Sequence, residues 1–396
     1  MEAYVLDWMN LLARWLHLVA GVAWIGASFY FVMLDNSLSP PAKPGDAKRG
    51  VFGELWAVHG GGFYISQKFP TGPKGEPLSQ NLHWSKWEAY TTWLSGMGLL
   101  ALIYWLGASA YLIDPGVRVL SPAGAIAISI GVLAGGWVVY DALCRALERR
   151  ENLLAALVFA FVIASTWALF QLFSARAAFV HVGAMLGTIM VANVFFHIIP
   201  GQKRVVADIR AGRVPDPRPG VIGKQRSVHN TYFTLPVLFV MISNHYPMTY
   251  SHRHGWLVLA AIMLAGVLIR QFFVLRHRGS VKAWLPATGV ALLAGVAVVL
   301  APKPVDTAGA KVAFASVDAV LKQRCVACHA AQPTQAGFAQ PPKGVLLETP
   351  GQIAANAPKI AETVGNGYMP IGNLTQMTDT ERALIATWFA QGAATK

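Results

Sequence analysis

Long apolar stretches alternate with shorter polar connections over the first three quarters of the chain. Eight of them approach the roughly 20 residues that a helix needs to cross a hydrocarbon layer: 8–34, 88–113, 122–144, 152–173, 177–199, 230–247, 255–275 and 283–301. The sixth is the weakest, being short, interrupted by Pro236 and closed by Ser243-Asn244-His245. Pro302, Pro304 and Gly309 then mark a linker, after which polarity is mixed, with a Gln/Pro/Gly-rich piece at 332–344 and short amphipathic segments. The pattern predicts an all-α chain. An eight-helix transmembrane bundle fills 1–301, a linker covers 302–312, and a small α-helical domain occupies 313–396. Two long connections, 35–87 and 200–229, are rich in Gly and Pro, and loops of that length carry function or are disordered.

Composition strengthens the membrane reading. Of 396 residues 55% are hydrophobic and 13% charged, about half the usual charged share. The net charge of +13 does not point to nucleic acid, because its placement follows topology. Alternate connections hold nineteen Lys/Arg (among them Lys43, Arg149, Arg204, Arg226 and Arg278) against four on the other side (Arg118, Arg176, Arg253 and Lys303). By the positive-inside rule the N-terminus and the C-terminal domain lie outside, on the periplasmic face of a bacterial inner membrane. The acidic start, Glu2 and Asp7, agrees, and no cleavable leader with a basic start is expected.

Two of the three cysteines lie in Cys325-Val-Ala-Cys328-His329, the attachment signature of a c-type haem. In that chemistry both thiols add to the haem vinyl groups and His329 becomes the proximal iron ligand. Val317–Arg324 reads as the helix that presents the motif. Met369, in Gly367-Tyr368-Met369-Pro370, is the expected sixth ligand, with Met377 as a rival. A Met/His pair raises the reduction potential, which suits an electron acceptor. Thr378-Asp379-Thr380-Glu381 reads as a capping box opening a final helix over 382–389. The tail is therefore expected to be a class I cytochrome c domain. Cys144, at the end of an apolar segment, reads as a small buried hydrophobe.

The other ten histidines all precede residue 300, and ionisable groups within a membrane are functional suspects. His17, His181 and His245 fall toward the outer side of the first, fifth and sixth segments and are candidate ligands for a b-type haem. His59, His83, His197 and His229 fall at the inner side. Of these, His59, His83 and His229 are candidate general bases, since imidazole titrates near working pH. The competing reading for all of them is helix-end capping at the interface. Sixteen residues separate His181 from His197 and His229 from His245, a turn of about 160°, so the members of each pair need not share a face. His252, His254 and His277 read as solvated loop residues. Arg14 and His17 share a helix face, and Gly21 and Gly26 permit close approach by a neighbour. His59-Gly60-Gly61-Gly62-Phe63-Tyr64 offers backbone N–H groups to a ligand, or is simply a flexible turn. Arg270 and Gln271, with the inner-side histidines and aromatic residues, form a set able to grip a planar anionic heterocycle.

These features together resemble the bacterial membrane-bound urate oxidases, also called urate hydroxylase or cytochrome c-linked urate dehydrogenase. The resemblance is carried by Arg14-Trp15-Leu16-His17, Trp24-Ile25-Gly26, the segment Trp56 to Tyr64, the segment Asn81 to Glu88, and the tail motif with Cys325, Cys328 and His329. It implies oxidation of urate to 5-hydroxyisourate in the membrane domain. Electrons would pass to haem c, then to a soluble or membrane cytochrome c and a terminal oxidase of the respiratory chain. The implied partners are urate, that electron acceptor and the lipid bilayer. The alternatives are another substrate on the same machine, such as a second purine or a quinol, or a membrane cytochrome relaying electrons from a separate dehydrogenase. An anchor needs one helix rather than eight, which favours chemistry in the membrane domain itself.

Overall fold

Without water to satisfy backbone N–H and C=O groups, an apolar stretch closes its hydrogen bonds internally as a helix. The computed structural model describes residues 2–301, 305, 309–336 and 338–395 and is mostly helical, 68% helix against 4% strand. In order come α1 (Glu2–Asn36), α2 (Pro44–Lys48), β1 (Gly53–His59), β2 (Gly62–Lys68) and α3 (Trp87–Leu100), which runs on into π turns at Ala101–Trp105 and Ala108–Leu112. Then follow α4 (Pro122–Ala146), α5 (Glu151–Phe170), α6 (Ala175–Ala192), a π turn at Asn193–Ile198, α7 (Ile199–Arg210), α8 (Arg218–Ser243), α9 (Pro247–Tyr250), α10 (Gly255–His277) and α11 (Trp284–Val299). The tail holds α12 (Phe314–Arg324), α13 (Val326–His329), α14 (Pro350–Gly365) and α15 (Asp379–Ala390).

All eight apolar stretches are helical, yet among the described residues five helices are long and apolar enough to cross a membrane. These are 4–36, 122–146, 151–170, 175–210 and 255–277. The other three differ for local reasons. The helix through 88–113 is broken at Leu106-Gly107, between its π turns. In α8, Arg226, Asn230, Thr231 and Thr234 are buried polar groups. Helix α11 has only 16 residues.

The continuous run from Ala175 to Arg210 is the axis of the bundle, with 61% of its apolar window buried against 11% for α1. Helix α6 packs on α4, α5 and α8. Small residues set the crossings: a Cβ on Gly136 would lie 2.5 Å from Met185 Cγ, and one on Gly183 would lie 2.6 Å from Val240 Cγ1. Gly183→Leu is accordingly expected to cost ~1–3 kcal/mol of bundle stability through overpacking. Gly187→Ala, where nothing lies within 4 Å, should be near neutral. Thermal unfolding of both variants in detergent checks this, and equal midpoints would refute the close α6–α8 crossing. Helix α1 turns Trp8, Leu12, Trp15, Leu16 and Val19 outward, an apolar surface that water does not tolerate and lipid does.

The all-α expectation needs one correction. Residues 53–68, read as loop, form an antiparallel hairpin in which Gly53 pairs with Lys68 and His59 with Gly62. Gly60 and Gly61, at φ +59° and +81°, make the two-residue turn, whose left-handed positions match the strand twist. Its base is tied down: the Gln67 amide donates to Asp46 and Glu54, and Lys68 and Lys224 both pair with Asp35. One end of the bundle is thus the hairpin end.

At the opposite end the tail gathers a second apolar core from Val317, Leu321, Leu347, Ile353, Ile360, Met377, Ile385 and Trp388. A capping box between Thr378 and Glu381 opens α15 at Asp379, three residues before the start read from the sequence. The 3-10 turn Ile371–Asn373 packs on the π turn Ala108–Leu112, and a Cβ on Gly372 would lie 3.1 Å from the Ala110 carbonyl oxygen. The linker expected over 302–312 lies in large part outside the described residues, Pro302 and Pro304 included.

Candidate functional site

Asp141, a lone carboxylate in the last third of α4, organises the largest buried polar network of the described bundle. Its Oδ1 accepts from His197 Nε2 at 2.7 Å and from Arg226 Nη2 at 2.7 Å, while Oδ2 accepts from Arg145 Nε at 2.7 Å. The Arg226 guanidinium, 2% exposed, also lies over the Tyr140 ring. Asn193 Nδ2 donates to the Tyr140 hydroxyl oxygen (3.1 Å) and to Asn230 Oδ1 (2.8 Å), and the Asn230 amide donates to the Met190 carbonyl (3.0 Å). Tyr140 is in turn hydrogen bonded to His229 Nδ1 at 2.8 Å.

Three elements supply this network. On α8, Arg226, His229 and Asn230 are three and four residues apart and so share one face. The π turn carries Asn193 and His197, just ahead of Pro200. Proline has no N–H for the Phe196 carbonyl that an α pattern would assign it, which favours the wider turn. Such π turns recur at functional sites.

The candidate bases separate. His229 belongs to the buried network. His59 stands exposed at the end of β1, and His83 is exposed and 3.9 Å from Glu88 Oε1. Among the described residues no hydrogen bond or ring contact joins the three candidates. The reason is the hairpin, which carries His59 away from the helices.

The three b-haem candidates also differ in setting. His181 is fully buried with both ring nitrogens engaged, Nε2 with Ser129 Oγ at 2.7 Å and Nδ1 with the Ala177 carbonyl at 2.8 Å. His17 lies near the middle of α1, its Nδ1 at 2.9 Å from the Thr92 carbonyl of α3. Gly96 makes room for its ring, since a Cβ there would lie 2.9 Å from His17 Cε1. His245 is exposed just past α8.

Tyr140, Asp141, Asn193, Arg226 and Asn230 were not singled out from the sequence. Asp141 and Arg226 carried a usable signal, as charged residues within or beside apolar segments. The asparagines and Tyr140 carried none.

The family model described as urate oxidase N-terminal matches residues 3–301. This chain belongs to the urate oxidase N-terminal family. No curated protein and no solved structure matches it significantly. The family match takes in every helix from α1 to α11 and therefore the whole Asp141 network.

Beyond the family region, the tail motif lies on one turn. Cys325 caps the end of α12, and Cys328 and His329 follow on α13. His329 Nδ1 is 3.0 Å from the Val345 carbonyl, so Nδ1–H donates there and Nε2 keeps its lone pair. Burial, and then the neighbouring Cys328, push the Cys325 thiol up to about 12, so it is un-ionised at neutral pH. Met369 borders the tail core, and Arg382 Nη1 donates to both the Val364 and the Met369 carbonyls at 2.7 Å. Met377, the rival ligand, is 4% exposed within the core.

Proposed function

We propose that this chain is a bacterial inner-membrane oxidoreductase that converts urate to 5-hydroxyisourate and delivers the electrons to its C-terminal domain. The observation that carries this reading is the family match over 3–301, which coincides with the helical bundle and its buried network. The reaction balances as urate plus water giving 5-hydroxyisourate, two protons and two electrons. His229 is the proposed base. In the tautomer whose Nδ1–H donates to the Tyr140 oxygen, Nε2 is free to take a proton. His197, whose Nε2–H is held by Asp141, offers Nδ1 as a second proton acceptor at the same end. Asp141 holds the His197 ring directly, and Tyr140, under the Arg226 guanidinium, holds the His229 ring, so the Asp141–Arg226 pair positions these groups rather than touching substrate.

The tail residues fit a covalently bound haem. Two cysteines three apart precede a histidine whose Nδ1 is already committed, leaving Nε2 for iron, and a methionine lies across the same core. Bound there, haem supplies a one-electron acceptor whose potential the Met/His pair raises. The chain's own part is positional: the Val345 carbonyl orients His329, and Arg382 pins the loop that carries Met369. The residues fit a b-type haem less well. His17 has the geometry of a ligand, but both nitrogens of His181 are already used and His245 is exposed, so no step is assigned to that group. Charge asymmetry supports an orientation with the hairpin end cytoplasmic and the tail periplasmic, where a soluble or membrane cytochrome c or terminal oxidase would collect the electrons.

Anaerobic addition of urate to the oxidised full-length protein should bring up the reduced haem c α-band. If dithionite reduces the haem and urate does not, the proposal fails.

A further inference from the structure

Arg226 leaves its Nε without a partner but has Asp141 as counter-charge, whereas Arg270 has no ion pair among the described residues. It is 5% exposed on α10, yet its Nε and Nη2 are buried without a hydrogen-bond partner among the described residues. Its guanidinium lies 4.2 Å from the centre of the Phe29 ring of α1, which holds the group in place by a cation–π contact. Next to it, Gln271 accepts through Oε1 from the Tyr232 hydroxyl of α8, leaving its amide N–H groups as donors. Two turns further along α10, on the same face, His277 Nδ1 is buried without a partner too. The carboxylate of this region, Asp35, is already shared by Lys68 and Lys224, and Arg278 donates to Asn36.

A buried guanidinium with no counter-charge is costly, because its desolvation is repaid by nothing. The Asp141 network shows how this fold pairs such a charge when its role is internal, with the carboxylate on Nη2 of Arg226 even though its Nε has no partner. At Arg270 the donors remain open, as at a site completed by a ligand. Nε and Nη2 form one edge of the guanidinium, spaced for two acceptors on a planar anion.

We propose that Arg270, held by Phe29 and supported by Gln271, is the binding site for the planar purine anion that the membrane domain oxidises. This rests on the urate reading given above. It adds to it the residues that take the substrate's charge. Tyr232 and His229 are three residues apart on α8, so the anion site and the proposed base are served by one stretch of helix.

The test is equilibrium binding of labelled urate to full-length protein with its haem pre-reduced, so that no turnover occurs. Wild type should bind. Arg270→Met should weaken binding about 100-fold, equivalent to ~2.7 kcal/mol. The same variant should leave the unfolding temperature of ligand-free protein unchanged or higher, since an unpaired buried charge is removed. Arg270→Lys keeps the charge but loses the planar fork, and should bind at least tenfold more weakly than wild type. If Arg270→Met binds urate as wild type does, or if it loses both binding and stability, the site assignment is wrong while the urate reading stands. Displacement of urate by millimolar inorganic phosphate would also overturn it, in favour of a tetrahedral anion site. Failure of wild type itself to bind urate would sink the urate reading and the site together.

Discussion

Replacing Cys325 and Cys328 together by alanine should remove every trace of covalent haem from the chain. Haem staining on a denaturing gel should fall to background, and urate should no longer develop a c-type α-band. The reason is chemical: the two thioether bonds are the only covalent links the motif can make, and Cys144, the remaining cysteine, is buried in the bundle beside His229. Met369→Ala should behave differently. Covalent haem should remain, because both thiols are intact, while the signature of sulfur ligation disappears. The loop itself should persist, since Arg382 holds the carbonyls of Val364 and Met369 rather than the Met369 side chain. Staining that survives the double cysteine change would refute the attachment site. An unchanged spectrum in Met369→Ala would pass the ligand role to Met377, which now fills the tail core.

The second large effect is expected at Asp141. Asp141→Ala strands Arg226, a guanidinium 2% exposed, without its carboxylate, and should cost roughly 3–5 kcal/mol. Arg226→Met should cost less, because Asp141 keeps His197 and the exposed Arg145 as partners. The double variant should recover much of the loss, so the two changes combine far from additively. Thermal unfolding in detergent measures all three. A loss of under ~1 kcal/mol in Asp141→Ala would mean that Arg226 is hydrated, and the positioning role given to the pair would fall with it. The contrast with Arg270 is direct. Removing the charge at Arg226's partner destabilises, whereas removing the charge at Arg270 does not, because only the former is paired within the protein.

Some of the molecule was legible in residue order and some was not. The eight helical stretches, the change of character after 301, the Cys325-Cys328-His329 turn and the Thr378–Glu381 cap depend on residues within one or two turns of each other, and local pattern determines such features. The hairpin has a local signal as well, Gly60-Gly61 between the two strands, although the surrounding chain is strongly helical. Helix type was harder. The π turn ahead of Pro200 and the break at Leu106-Gly107 have local causes, but apolar periodicity alone does not distinguish them from a continuing helix. The polar network lay out of reach because packing between helices, which no single stretch encodes, brings its members together. Asp141, Asn193, Arg226 and His229 come from three elements up to 88 positions apart, and each is unremarkable by itself. Whether a buried charge is a structural pair or an open site depends on what stands opposite it. Asp141 stands opposite Arg226 and the Phe29 ring stands opposite Arg270, and only the folded chain decides that.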